Sequence, residues 1–191
     1  MRLKVLLDDI RSCTICAEHL PLGPRPLLQA APSSRVLVIG QAPGSVAHAS
    51  GVPWDDRSGQ RLREWLGVDD QTFYDPKRIA LAPMGFCYPG SGNGGDLPPR
   101  PECAQAWHEP LLASLKRVDL TILIGRYAFE HKIGDRYGTL TEAVGGWAEL
   151  LPEMIVLPHP SPRNNRWLAK HAWFERDVLP ALRERIKDLV R

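Results

Sequence analysis

Val36-Leu37-Val38-Ile39-Gly40-Gln41-Ala42-Pro43-Gly44 decides how this 191-residue chain is read. Four aliphatic residues run without a break, and the chain then turns through Gly, Gln, Ala, Pro and Gly. A short, wholly apolar run bounded by Gly and Pro is the pattern of a strand buried on both faces, as in a parallel sheet. Met154-Ile155-Val156-Leu157-Pro158 has the same form and empties into His159-Pro160-Ser161-Pro162-Arg163-Asn164-Asn165. Ligands of open α/β sheets gather outside the carboxyl ends of the strands. The two loops are therefore expected to face one pocket, provided their strands are neighbours.

The rest of the chain fits around these two strands. Residues 3–12 have helical apolar spacing, and residues 17–34 are loop-like and rich in proline. Strands are expected at 35–39, 78–82, 120–124 and 155–157. Residues 45–58 read as a long loop, and Ser58 as the cap of a helix to about Leu66 with Leu62, Trp65 and Leu66 on one face. Residues 83–101 form a second long loop dense in Gly and Pro, of the length that usually serves a function or is tied down. Pro101 opens a helix to about Leu115. Further helices are expected at 127–133, within 139–146, and from 167 to 190, interrupted or bent near Pro180. Strands alternating with helices predict one domain over 1–191, a three-layer α/β/α fold around a central, mostly parallel four-stranded sheet.

Composition narrows the function classes. Apolar content of 43% and charged content of 24% are ordinary for a globular protein, and the net charge of +2 calls for no uniformly basic surface. No apolar stretch approaches the ~20 residues that span a bilayer. The N-terminal residues lack a signal-peptide pattern, so a cytoplasmic location is expected. In that compartment four cysteines suit metal ligation or free thiols better than disulfides. Cys13-x2-Cys16 follows the first helix, and Cys87 and Cys103 bracket the second long loop. Such a set suits a four-thiolate site, either [4Fe–4S] or zinc, or else four separate buried thiols.

Several other residues carry chemistry. His159 stands just past a strand, between prolines that fix its backbone, where its imidazole can donate to developing negative charge. Ser161, Arg163, Asn164 and Asn165, with Arg166 and Lys170 downstream, make a phosphate-friendly patch, or simply a solvated basic helix start. Trp54, in a loop after Pro53, can stack on a planar ligand or plug the core. Asp55 and Asp56 can activate water or cap the following helix.

Taken together these residues resemble the uracil-DNA glycosylase superfamily, from Cys13 to about Leu182. Gly40-Gln41-Ala42-Pro43-Gly44 is similar to the superfamily's first motif, and His159-Pro160-Ser161-Pro162-Arg163 to its second. Gly51-Val52-Pro53-Trp54 resembles the segment whose aromatic residue stacks on a flipped base. The cysteine pattern resembles the iron–sulfur branches, families 4 and 5. The resemblance implies a monofunctional uracil-DNA glycosylase of base excision repair, acting as a monomer on DNA that holds uracil or related damaged bases. It implies His159 as the residue that stabilises charge on the departing base, and Gln41 with Asp56 or Asp55 as candidates for handling water. Gly40, Ala42, Trp54 and Met84 would contact the base, and Ser161, Arg163 and Asn164 the DNA backbone. It implies a structural [4Fe–4S] cluster on Cys13, Cys16, Cys87 and Cys103, in preference to zinc.

Three departures from the family pattern matter. Gln41 and Ala42 stand where relatives carry a carboxylate. Pro83 stands where many members have an Asn that reads the base edge, which leaves base selection to backbone groups. Arg163 replaces the usual wedge leucine. The missing carboxylate keeps an alternative open: an iron–sulfur protein that binds damaged or single-stranded DNA without hydrolysing it.

Overall fold

The computed structural model describes residues 2–191. The deciding run forms β1 (Val36–Ile39), followed in the chain by β2 (Ile79–Leu81), a small hairpin of β3 (Ser91–Gly92) and β4 (Gly95–Asp96), β5 (Leu120–Ile124) and β6 (Met154–Leu157). Four of these make one sheet in the order β2-β1-β5-β6, every pair parallel. All of β1 is buried, as are β2 and all but one residue each of β5 and β6. That is why those strands read as continuous apolar runs: both faces are covered, so no alternation survives.

The cover is helical. The helices are α1 (Leu3–Arg11), α2 (Ser45–Ser50), α3 (Arg57–Leu66), α4 (Asp70–Phe73), α5 (Pro101–Ser114), α6 (Gly125–Ile133), α7 (Leu140–Gly145), α8 (Trp147–Leu150), α9 (Asn165–Lys170) and α10 (Leu179–Leu189). Together with the sheet they form three layers, α/β/α. α1 packs against α5, and α3 against α10. Leu62, Trp65 and Leu66 of α3 are buried together, and Trp65 meets Phe174 edge-on at 4.9 Å. Burying side chains of this size stabilises the fold by roughly 1.5–3 kcal/mol each.

The structure corrects three expectations. β1 and β6 are not neighbours, because β5 lies between them. The loop expected at 45–58 contains α2. Ser58 does not cap α3; Asp56 does, accepting the Gly59 N–H at 2.7 Å, because the helix begins two residues earlier than a Ser58 cap would start it. The last helix is divided: α9 stops at Lys170, a wide-turn segment spans Phe174–Val178, and α10 starts at Leu179. The interruption expected near Pro180 is that wide-turn segment, which ends two residues before the proline and runs directly into α10.

Strand order reverses direction at β1: the chain passes from β1 outward to β2, then returns to place β5 on the other side. Such a switch point splays the loops at the carboxyl ends of the two central strands and leaves a crevice between them.

Candidate active site

A cavity of about 590 Å³ opens at that crevice. Gln41, Ala42, Pro43 and Gly44 line it from β1, Pro83 from beyond β2, and His159 and Ser161 from beyond β6. The loops after β1 and β6 meet although β5 separates their strands. His159 packs over Gly125, the first residue after β5, where a β-carbon would lie in ordinary contact, 3.5 Å from His159 Cβ and 3.7 Å from its Cδ2. The imidazole leans across the bare end of β5, over a residue with φ of +77° that an L side chain would strain.

His159 is held in one tautomer. The Ser161 backbone N–H donates to its Nδ1 at 3.2 Å, which makes Nδ1 the acceptor and puts the ring proton of the neutral form on Nε2. Nε2–H makes no hydrogen bond to protein among the described residues. Burial lowers the ring's proton affinity below the ordinary imidazole value, against the upward pull of Asp56 and Asp96. The site therefore favours a neutral imidazole that still offers one N–H.

Trp54 stacks on His159, ring centroids 5.8 Å apart and planes 29° from parallel. Its backbone is unusual: φ is +59°, the single positive value among the described residues other than glycine. Such a conformation costs energy and persists only where the surroundings enforce it. Here the Trp54 carbonyl accepts from Arg63 Nη1 at 3.2 Å and from the Tyr74 hydroxyl at 3.4 Å. The same carbonyl lies so close to Gly59 that any β-carbon there would collide with it. The indole in turn covers Gly40, where a β-carbon would stand 2.7 Å from Trp54 Cζ2. Gly40 is thus a floor under the indole, placed there by close approach and not by a turn.

The wall formed after β2 offers no free backbone donor. Pro83 has no N–H. Ala82 N–H goes to Val38, Met84 N–H to the Gly40 carbonyl at 2.9 Å, and Gly85 N–H to the Gln41 carbonyl at 3.0 Å. Phe86 N–H points at Cys103 Sγ, 3.3 Å away. The Pro83 carbonyl accepts from His108 Nε2 at 2.8 Å, behind the cavity. Met84, expected at the base, is buried in the core and does not line the cavity.

The two candidate aspartates separate. Asp55 is exposed and borders a different, shallower depression beside Arg63 and Asp70. Asp56 lines the main cavity while capping α3. A third carboxylate, Asp96, was not foreseen: it lies on the β3–β4 hairpin, which folds over the cavity. Tyr127 of α6 also lines the cavity and was likewise missed. A signal for the hairpin was present in Gly92-Asn93-Gly94-Gly95, since Asn-Gly favours a two-residue turn, and Gly92 does pair with Gly95.

The hairpin is tied to both motif loops. Arg163 donates to the Gly94 carbonyl, and Gln41 Nε2 to the Leu97 carbonyl at 3.1 Å. Arg163 and Gln41 are therefore joined to protein groups across the cavity. Asn164 Nδ2 donates to the His159 carbonyl at 2.7 Å and fixes the second loop from within. Arg61 of α3 braces the same loop through Asn165 Oδ1 at 2.7 Å. Arg166 and Lys170 point outward and are exposed.

The four cysteines are free thiols gathered at one place. Cys16 and Cys87 pack together with Leu20. Trp107 Nε1 donates to Cys13 Sγ at 3.3 Å, and backbone N–H groups of Phe86 and Arg25 aim at Cys103 and Cys87. Burial pushes the Cys87 thiol up to about 11 and Cys103 to about 12, with the neighbouring cysteines adding to each. Among the described residues no three His, Cys, Asp or Glu side chains converge tightly enough to hold a single metal ion. No helix of the described chain is long and apolar enough to cross a membrane.

A model of the uracil DNA glycosylase superfamily matches residues 29–183, most of the chain and all of the cavity. The protein belongs to that superfamily. Membership places it among the DNA glycosylases, hydrolases that act on DNA in base excision repair.

Proposed function

We propose that this glycosylase removes uracil, and other deaminated bases that fit the same cavity, from DNA, leaving an abasic site and an uncut strand. The observation that carries the reading is His159: a neutral ring, its tautomer fixed by the Ser161 N–H, with Nε2–H free at the cavity. A base leaving as an anion concentrates charge on its O2, and a donor already in place stabilises that charge without reorganising. Trp54 offers the flipped ring a stacking face, rigidly mounted beside His159. The sugar acquires oxocarbenium character as the bond breaks. A carboxylate facing the cavity, Asp56 among them, stabilises it and supplies the charge that Gln41 and Ala42 cannot. The binding-only alternative rested on the missing carboxylate of the first motif; a carboxylate that reaches the cavity from elsewhere in the chain favours hydrolysis. Ser161, Asn164 and Arg163 stand at the lip where flanking phosphates would pass. Arg166 and Lys170 extend that edge, so DNA affinity should fall steeply with salt.

We further propose that Cys13, Cys16, Cys87 and Cys103 hold a [4Fe–4S] cluster, which would place the chain in an iron–sulfur branch. Support comes from the N–H donors aimed at three of the sulfurs, the usual second sphere of thiolate ligands. The cluster's role is structural: it would tie the end of α1 to both ends of the hairpin loop. A cytoplasmic monomer is the setting this reading expects.

The test is alkali-revealed strand cleavage of end-labelled duplexes carrying one uracil, hypoxanthine, xanthine or thymine. Cleavage at uracil is expected, and His159→Ala should slow single-turnover excision about 10²-fold while leaving DNA affinity within a few-fold. Retained DNA binding with no cleavage of any substrate would overturn the reading in favour of a binding protein.

A further inference from the structure

We infer that Asp96, on the hairpin between Cys87 and Cys103, is the carboxylate that receives the proton of the attacking water. This rests on the uracil-excision reading above and names the residue that completes it. Gly44, which ends the first motif, marks the place. A β-carbon on Gly44 would find Asp96 Oδ2 at 3.3 Å and Asp56 Oδ2 at 3.9 Å. Two carboxylates thus flank the turn from which the carboxylate of relatives is missing, and they come from opposite directions in the chain.

The two differ in what else they do. Asp56 Oδ1 is occupied by the Gly59 N–H and its orientation is set by α3. Asp96 Oδ1 accepts from the Ser91 hydroxyl at 3.1 Å, and that hydroxyl is paired with the Tyr88 hydroxyl at 2.6 Å. Oδ1 of Asp96 is therefore oriented by a side-chain relay; Oδ2, like that of Asp56, has no hydrogen-bond partner among the described residues and no cation pairs with either group, but the Asp96 oxygen is the nearer of the two to Gly44. The segment is also fastened. Arg163 holds Gly94, Gln41 holds Leu97, and Leu97 N–H closes onto the Gly90 carbonyl at 2.8 Å. Gln41 thereby anchors the residue next to Asp96, so the first motif contributes through a contact what it lacks as a charge. A fixed carboxylate with one free oxygen facing the cavity is what orienting a water requires.

The step balances without further reagents. The C1′–N1 bond breaks and its electron pair leaves on the base, where His159 Nε2–H meets the charge at O2. The water oxygen bonds to C1′, and its proton passes to Asp96 Oδ2 and on to solvent. The released base takes a proton from solvent.

The experiment compares the full-length parent with Asp96→Asn, Asp96→Glu and Asp56→Asn in single-turnover excision of uracil from DNA. DNA affinity and melting temperature are measured beside each rate. Asn keeps the size of Asp at both positions and can still cap α3. Asp96→Asn should excise about 10²-fold more slowly, bind uracil-containing DNA at least as tightly, and melt as the parent does. Asp96→Glu should recover part of the rate, and Asp56→Asn should lose less than about tenfold. An active parent with Asp96→Asn within a few-fold of it overturns the assignment of Asp96 alone. So does a loss that tracks weakened DNA binding or a lowered melting temperature. A parent inactive on every substrate overturns the excision reading and this role with it.

Discussion

Acid should destabilise this protein through one imidazole. His108 on α5 is 2% exposed, and its Nδ1 finds no hydrogen-bond partner. Its Nε2 donates to the Pro83 carbonyl at 2.8 Å, so the neutral ring is the form that fits. Burial lowers its pKa from 6.5 to about 4, Lys132 and His131 push the same way, and the Pro83 carbonyl pulls back. Above 6.5 neither the folded nor the unfolded chain protonates this ring, and its contribution is fully present. Below 6.5 the unfolded chain takes up a proton that the folded chain refuses. Stability is therefore lost progressively until about 4, where the folded state protonates too. At about 1.4 kcal/mol for each tenfold change in proton affinity, the loss amounts to about 3 kcal/mol. His131 and His159 are lowered as well, so the attribution needs a reference. His108→Gln keeps a donor for Pro83 and cannot titrate. Urea unfolding of both proteins at steps from neutrality to about pH 4 should show the parent losing about 3 kcal/mol more than the variant. Parallel pH profiles would refute the reasoning, since the ring would then not be neutral in the fold.

Three further outcomes are expected. Gly59→Ala drives a β-carbon into the Trp54 carbonyl, so it should lower stability by about 1–3 kcal/mol and shift tryptophan fluorescence; an unchanged melting curve would mean that Trp54 is not pinned there. Pro83→Asn puts a side-chain donor on the wall that has none, and should narrow the substrate panel toward uracil, read as the ratio of uracil to hypoxanthine excision; an unchanged ratio would show that this wall does not touch the base. Cys103→Ser should lower both iron content and melting temperature relative to the parent, whereas an iron-free parent would show that the four thiols hold no cluster.

Much of the fold could be read from residue pattern alone. Val36–Ile39 and Leu120–Ile124 carry no polar alternation, and strands buried on both faces need none. Pro101 and Asp56 mark helix starts for plain chemical reasons, although Ser58 competed with Asp56 as a cap because all such residues cap well. Strand order was less accessible. Nothing local in the two motif loops says that β5 lies between them; Gly125, over which His159 packs, looks like any glycine after a strand. Asp96 was hidden differently. It sits in a segment whose Gly and Pro content reads as filler, and its position over Gly44 follows from two long-range contacts that no periodicity encodes.

The same comparison explains how a first motif without acid can belong to an active site. A carboxylate acts from where its oxygen lies, not from where its residue falls in the chain. The turn at Gly44 leaves room beside it because it has no side chain, and two acids enter that room, Asp56 from the start of α3 and Asp96 from the hairpin. The hairpin reaches the cavity with its tip held by Arg163 and the residue after β4 held by Gln41, while its flanks lead back to the cysteines. A group bound at the cysteines would thus act on chemistry at a distance, by setting where the hairpin begins. The opposite wall follows the converse logic. With Pro83 lacking an N–H and every neighbouring donor taken, it can reject a base by shape but offers it no hydrogen-bond donor. Discrimination by shape alone separates close analogues by only about 1–3 kcal/mol. A cavity built this way should therefore accept a family of deaminated bases, with His159 deciding which of them leaves.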